Sequence, residues 1–310
     1  MTRAMAGTVP AGEQAAGERS TGAPLSLVVP FCLGWSSAFA VGKIALADAP
    51  PLLMLSVRFL LAGAVLLAAA AALGHLRRLD GRGWLVLAAL GVVNTALYLG
   101  LCFVAMETVS SGLVAIIVSS APVLTAAVAA PLLGERLTAA KGAGLVLGVL
   151  GVGIIVRGRL NGGADDPAGI LLAVGALVAM VAGTLLYKRH APPAGLAVNG
   201  GVQTLAGGVV LLPVALALED AGAVTLTASL GLSLAYLVVV VSIGAHLLWY
   251  ALIARTTATA ASAYHFLMPP LGLLFGWALL GEPVHLPDLL GIVPVAIAIR
   301  LVTRPTPAQP

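Results

Sequence analysis

The sequence predicts an all-α polytopic membrane protein with ten transmembrane helices arranged as a five-plus-five inverted repeat. Three observations carry that expectation: the composition, the recurrence of long apolar segments, and the placement of Lys and Arg. Of the 310 residues, 60% are hydrophobic and only 9% are charged. The mean hydropathy of +1.07 lies well outside the range of water-soluble domains. This excludes a soluble α/β enzyme, a nucleic-acid-binding module and a secreted disulfide scaffold. The pI near 9.4 reflects basic residues scattered between apolar runs, as at the cytoplasmic edge of a membrane protein, rather than a phosphate-binding patch.

The apolar segments run at 25–46, 51–73, 83–105, 110–133, 138–157, 168–187, 194–218, 229–253, 257–281 and 286–303. Each is long enough to cross a bilayer, which takes roughly 20 residues of helix. Barrel strands are excluded because runs such as LLAGAVLLAAAAALG do not alternate in polarity. Residues 1–24, rich in Gly, Ala and Thr and without an apolar core, read as a disordered tail and not a signal peptide. If the N-terminus is cytoplasmic, twelve Lys and Arg fall on the inside and only Arg157 and Arg159 outside, with Lys43 and Arg58 inside spans. A missed or invented span would invert half the loops and destroy this bias, so the count of ten and two cytoplasmic termini are expected together.

The segment APVLTAAVAAPLLGERLTAAKGAG has an echo in MPPLGLLFGWALLGEPVHLPDLLG at a constant offset of 147 residues. Pro122 aligns with Pro269, Gly134 with Gly281, Glu135 with Glu282 and Gly144 with Gly291. Five spans precede the polar stretch near residue 163 and five follow it, which forces the two halves into opposite orientations. Such inverted repeats are how alternating-access transporters build a central site. The expected organisation is a cytoplasmic tail (1–24), a first repeat (25–158), a linker (159–167), a second repeat (168–303) and a second cytoplasmic tail (304–310).

These residues resemble the drug/metabolite transporter superfamily, EamA type. The resemblance rests on the string Gly34 to Lys43 in the first span, on Arg58-Phe59-Leu60-Leu61-Ala62 in the second, and on the paired segments Pro122 to Glu135 and Pro269 to Glu282. It implies ten helices, an inverted repeat, and export or exchange of small metabolites such as amino acids.

No Asp or Glu falls in the middle of a span, so a carboxylate proton relay is absent. The remaining intramembrane polar groups are the candidate substrate-binding residues, because each is costly to place there unless it is paired or lines water. Arg58 lies about seven residues into the second span, roughly 10 Å deep at 1.5 Å per residue. With Lys43 it reads either as a cationic site for a substrate carboxylate or phosphate, or as a snorkelling cation paired with Asp48. His246 and His265 fall at similar depth in adjacent antiparallel helices. They read either as a titrating pair, with protons as the candidate coupling ion, or as ordinary interhelical hydrogen-bonding residues. Asn94 and Tyr98, Asn199 and Gln203, and His246 and Tyr250 are each four apart on one helix face. With Trp35, Ser36, Trp249 and Tyr264 they fit a cavity of apolar walls and few hydrogen-bonding groups, or simple helix packing. Pro122 and Pro269, with Gly134 and Gly281, are candidates for structural or gating positions.

The Gly-rich run from Gly142 to Gly153 lacks nucleotide-loop spacing and has the small-residue pattern of close helix packing. Cys32 and Cys102 both lie in apolar runs and read as buried thiols. No cofactor or metal motif is present, and the absence of a P-loop leaves a gradient, exchange or downhill flow to drive transport. Expected partners are a small-molecule substrate and the lipid bilayer, with no nucleic acid. A bacterial inner membrane suits the Ala- and Gly-rich composition and compact loops. An intramembrane enzyme and a non-transporting membrane subunit remain alternatives, although neither HExxH nor GxSxG occurs.

Overall fold

Bilayer-length apolar helices whose polar groups turn inward dominate the computed structural model, which describes residues 23–109, 111–135, 137–160, 166–281 and 286–303. In order these are α1 (Leu25–Ala45), α2 (Pro51–Ala72), α3 (Gly81–Thr108), α4 (Ser111–Ser119), α5 (Ala121–Leu133) and α6 (Ala139–Leu160). There follow α7 (Pro167–His190), α8 (Leu196–Leu218), α9 (Ala228–Arg255), α10 (Ala258–Leu280) and α11 (Leu286–Val302). No strand occurs among the described residues. Among the described residues seven helices, α1, α2, α3, α7, α8, α9 and α10, are long and apolar enough to cross a membrane. The stretches expected at 110–133, 138–157 and 286–303 hold α4 with α5, α6 and α11. The N-terminal tail, most of the linker, Glu282 and the C-terminal tail lie outside the described residues.

Local chemistry sets the helix ends. Asp80, Asp166, Thr227 and Thr257 accept from the backbone N–H of Gly83, Ala168, Leu230 and Ala260, satisfying donors that the first turn leaves open. Pro51 starts α2, where a missing N–H costs nothing. Gly134 and Gly281 end α5 and α10 at φ of +67° and +68°, a left-handed conformation that a side chain would strain. Both α3 and α9 contain a π-helical stretch, Val92–Leu97 and Leu237–Ala245. Pro122 and Pro269 each follow a local break, a turn at Ser120 and a 3₁₀ stretch at Tyr264–Leu267.

Helix limits recur in register along the chain. Gly81–Thr108 and Ala228–Arg255 begin and end 147 residues apart. Ser111 and Ala258 start helices at the same separation, and the left-handed glycines Gly134 and Gly281 share it.

The core is hydrophobic, the lipid-length helices also carry large apolar side chains on the outside, and a smaller set of polar groups is buried within. Leu61, Val65, Leu171 and Leu232 are exposed, whereas Ser36, Arg58, Gln203, Ser242 and His265 are buried. Small residues bring backbones together. A Cβ on Gly63 of α2 would meet the Leu205 backbone N of α8 at 2.6 Å, and one on Gly151 of α6 would meet the Gly291 carbonyl of α11 at 2.8 Å. The second contact belongs to the Gly-rich run, which packs as a helix face. Cys32 and Cys102 are buried free thiols.

Gly63→Ala should lower thermal stability in detergent by about 1–3 kcal/mol through overpacking against α8. Gly153→Ala, where an added Cβ meets nothing within 4 Å, is the control. Equal melting midpoints for the two variants would contradict the close α2–α8 approach.

Candidate functional site

Six helices, α1, α2, α3, α7, α9 and α10, send side chains to two small cavities inside the bundle. Trp35 of α1 and Tyr98 of α3 line both. The first also contains Arg58, His246, Phe39 and Phe103; the second contains Asn94, Thr184, Trp249, Tyr250 and His265. Each has a volume of about 20 Å³, room for about one water molecule.

Arg58 is 1% exposed. Its Nε donates to Ser242 Oγ at 2.7 Å, and its guanidinium lies 5.3 Å from the Phe59 ring centroid. Its Nη1 is buried without a hydrogen-bond partner. Ser242 sits in the π-helical stretch of α9, one turn before His246. The Nδ1 of His246 lies 3.0 Å from the Val241 carbonyl, and that of His265 lies 3.0 Å from the Ser262 carbonyl. A carbonyl only accepts, so in each case Nδ1 carries a proton. His265 Nε2 and the Tyr98 hydroxyl are buried without a partner.

Rings fill the walls. Trp35 packs on His246 at 4.9 Å, Trp249 stacks on Phe31 at 5.6 Å and meets the edge of His265 at 5.0 Å, and Tyr250 packs on Tyr187 at 5.0 Å. The two histidines thus belong to different cavities, each against Trp35, with ring centroids at 4.9 Å and 6.1 Å. Asn94 Nδ2 donates to Gln203 Oε1 at 2.9 Å, and Gln203 Nε2 has no partner.

Eight of the thirteen residues singled out from the sequence, namely Trp35, Arg58, Asn94, Tyr98, His246, Trp249, Tyr250 and His265, line these two cavities, and Gln203 reaches them through Asn94. Ser36 is buried with an unpartnered hydroxyl but lines neither. Tyr264 is buried in the core, where its carbonyl accepts from Cys32 Sγ at 3.9 Å. Lys43 lies elsewhere. Its Nζ donates to the Met106 carbonyl at 2.9 Å, beside a cavity of about 500 Å³ at the end of the bundle that holds the α1–α2 connection. Asp48, the partner considered for either cation, accepts instead from Thr227 Oγ1 at 2.6 Å. Asn199 donates to the Ala194 carbonyl and does not reach the cavities.

Several contributors escaped the sequence reading, Phe39 and Phe103 of the first cavity among them. Met180 and Thr184, four apart on α7, line the second cavity, and their spacing was a usable signal. Ser242 is separated from Arg58 by 184 residues, and no local pattern announces such a pair. Two acids also join distant helices. Glu219 accepts from the N–H groups of Leu52 and Leu53 at 2.8 and 2.7 Å, and Glu135 accepts from those of Ala258 and Thr259 at 2.6 and 3.1 Å. Among the described residues no His, Cys, Asp and Glu cluster could hold a metal.

Chemically, a buried guanidinium with an unpartnered nitrogen beside a small cavity is a donor suited to an anion. The comparisons with known proteins agree with a membrane transport role. Residues 22–157 and 167–304 both match the model of the EamA-like transporter family. The chain is similar to the uncharacterized transporter YvbV of Bacillus subtilis, 30% identical over 89% of this chain and 90% of that protein. It is also similar to a probable amino-acid metabolite efflux pump of Salmonella typhimurium, 28% identical over 84% of this chain and 87% of that one. A crystal structure of 18% identity shares its fold, with a TM-score of 0.71 covering 90% of this chain and 95% of that one.

Ser242→Ala should leave a second buried donor of Arg58 unpaired and cost about 1–3 kcal/mol of stability. Ser242→Thr, which keeps the hydroxyl, should recover most of it. Thermal melts of both variants check this, and an unchanged midpoint for Ser242→Ala would show that the bond carries no stability.

Proposed function

We propose that this chain, which belongs to the EamA-like transporter family, is a secondary transporter that exports or exchanges small metabolites, amino acids or related compounds, by alternating access. The observation that carries the proposal is Arg58, buried in the centre of an apolar bundle with one guanidinium nitrogen unpaired at the wall of a small cavity. A cation is expensive at such depth, and a group kept there without full pairing points to a ligand that completes it. Trp35, Tyr98, His246, Trp249, Tyr250 and His265 surround the substrate in this reading, and Asn94 and Gln203 orient it. Lys43 serves the larger cavity at the end of the bundle, where the solute leaves or enters.

Several features support the wider architecture. The 147-residue register of helix limits favours two repeats, at 25–158 and 168–303, each contributing five spans. The bias of Lys and Arg favours cytoplasmic termini, and the composition favours a bacterial inner membrane. With five spans per repeat the halves are inverted, and the site lies between them. Pro122 and Pro269, each just after a break in helical geometry, are the places where the halves rock, and Gly134 and Gly281 end those helices. Protons are the candidate coupling ion through the two histidines. The name of the Salmonella relative supports an amino-acid-related substrate.

Flux into proteoliposomes from a panel of amino acids, organic acids, sugars and cationic dyes, with and without a pH gradient, tests the proposal. One solute group should enter above the level of empty liposomes. Arg58→Ala should reduce that flux by at least about tenfold, the equivalent of one lost charge-assisted contact, while remaining monodisperse on gel filtration. No flux of any solute by folded protein would overturn the transporter reading, and unchanged flux in Arg58→Ala would remove Arg58 from the site.

A further inference from the structure

We propose that the Arg58 site selects a monocarboxylate that bears no ammonium group, with an aromatic or bulky apolar body, over the zwitterionic amino acid of the same skeleton. The inference rests on the transporter reading above and narrows its substrates, amino acids or related compounds, to related compounds that lack the ammonium. It follows from the charges around the two cavities. Arg58 is a fixed cation, and none of the described lining residues is acidic. The sequence has no Asp or Glu in the middle of any apolar segment, so no carboxylate faces the position where an α-ammonium would lie.

None of the described acids at the helix ends lines either cavity, and Glu107 faces the separate cavity at the end of the bundle. Asp48 accepts from Thr227, Glu135 from the first N–H groups of α10, and Glu219 from those of α2. Asp80 and Asp166 cap α3 and α7. Each of these five carboxylates is held by a donor at a helix terminus or a loop. Ring faces are the other means of holding an ammonium. Trp249 stacks on Phe31, and Trp35 and Tyr250 each have a tilted ring neighbour in His246 and Tyr187. An α-ammonium would be desolvated beside a guanidinium with neutral acceptors but no carboxylate in the described lining to offset it, a repulsion that a low-dielectric interior magnifies.

A carboxylate alone has the opposite fate. It pairs with the free Nη1 of Arg58, and the Tyr98 hydroxyl on the wall of the same cavity supplies a second donor. Trp35 and Tyr98 line both cavities, so an apolar body anchored at Arg58 extends past them toward Trp249 and Tyr250 once the helices part. A hydroxyl in place of the ammonium brings no charge and finds polar neighbours in His246 and Tyr98.

The matched probes are 3-phenyllactate and phenylalanine, which differ by a hydroxyl in place of the ammonium. Calorimetric titration of the full chain in nanodiscs should show phenyllactate binding at least about tenfold more tightly than phenylalanine. Arg58→Lys should keep the preference with weaker binding, and Arg58→Gln should abolish it. Equal or tighter binding of phenylalanine overturns the inference, because an ammonium is then accommodated. Binding of neither probe by protein that carries other solutes in proteoliposomes also overturns it and leaves the transporter reading intact. The stated preference in nanodiscs without flux of any solute would retain the charge selectivity and overturn the transporter reading instead.

Discussion

A guanidinium at 1% exposure inside an apolar bundle constrains everything packed around it. Removing such a charge from water is expensive, and the cost is met only by donors and acceptors brought from other helices. Arg58 receives one hydroxyl, from Ser242, and the face of Phe59. For that hydroxyl to arrive, α9 must pass close to α2 at the level of its π-helical stretch. For α2 to hold its own position, Gly63 must let α8 approach to backbone contact. The aromatic walls follow from the same constraint, since rings exclude water without adding charge.

The acids of this chain solve a different problem. A helix end in or near lipid leaves backbone N–H groups that water does not satisfy. Glu219 and Glu135 each take two such groups, at opposite ends of the bundle and on helices far away in sequence. A carboxylate accepting two backbone N–H groups is also favoured by the positive end of the helix dipole. Acidic side chains therefore gather at the rims and stay out of the interior, which leaves Arg58 as the charge that defines the central cavities.

Much of this was legible in the sequence because membrane physics writes strong signals. Length and apolarity match α1, α2 and α7 nearly residue for residue, and the echo at 147 residues paired Gly134 with Gly281, which share a left-handed conformation. Arg58 was conspicuous because a cation inside an apolar run has few reasons to be there. Pairing was harder to read. The histidines at matching depth suggested one site, yet Trp35 places each in its own cavity. Asn199 and Gln203 share a helix face, but only Gln203 meets Asn94. Lys43, read together with Arg58 as a candidate cationic site, lies one turn beyond Phe39 on α1, beside a separate cavity. Such outcomes depend on how helices rotate against each other, and no spacing within one helix encodes that rotation. The π-helical stretches were invisible for a related reason: a wide turn needs no special residue.

Those wide turns have a consequence for how side chains are aimed. A π-helical turn holds an extra residue compared with an α-turn, so everything beyond it is displaced around the helix axis by about 100°. In α3 the stretch Val92–Leu97 ends immediately before Tyr98, and in α9 the stretch Leu237–Ala245 ends immediately before His246. The two helices therefore change which side faces the centre halfway along their length. The half before the stretch and the half after it can each satisfy a different neighbour, with the phase difference stored in the backbone. Tyr98 and His246 owe their inward aim to that stored angle, and straightening either helix to regular α geometry would turn them away from Arg58 without altering a single side chain.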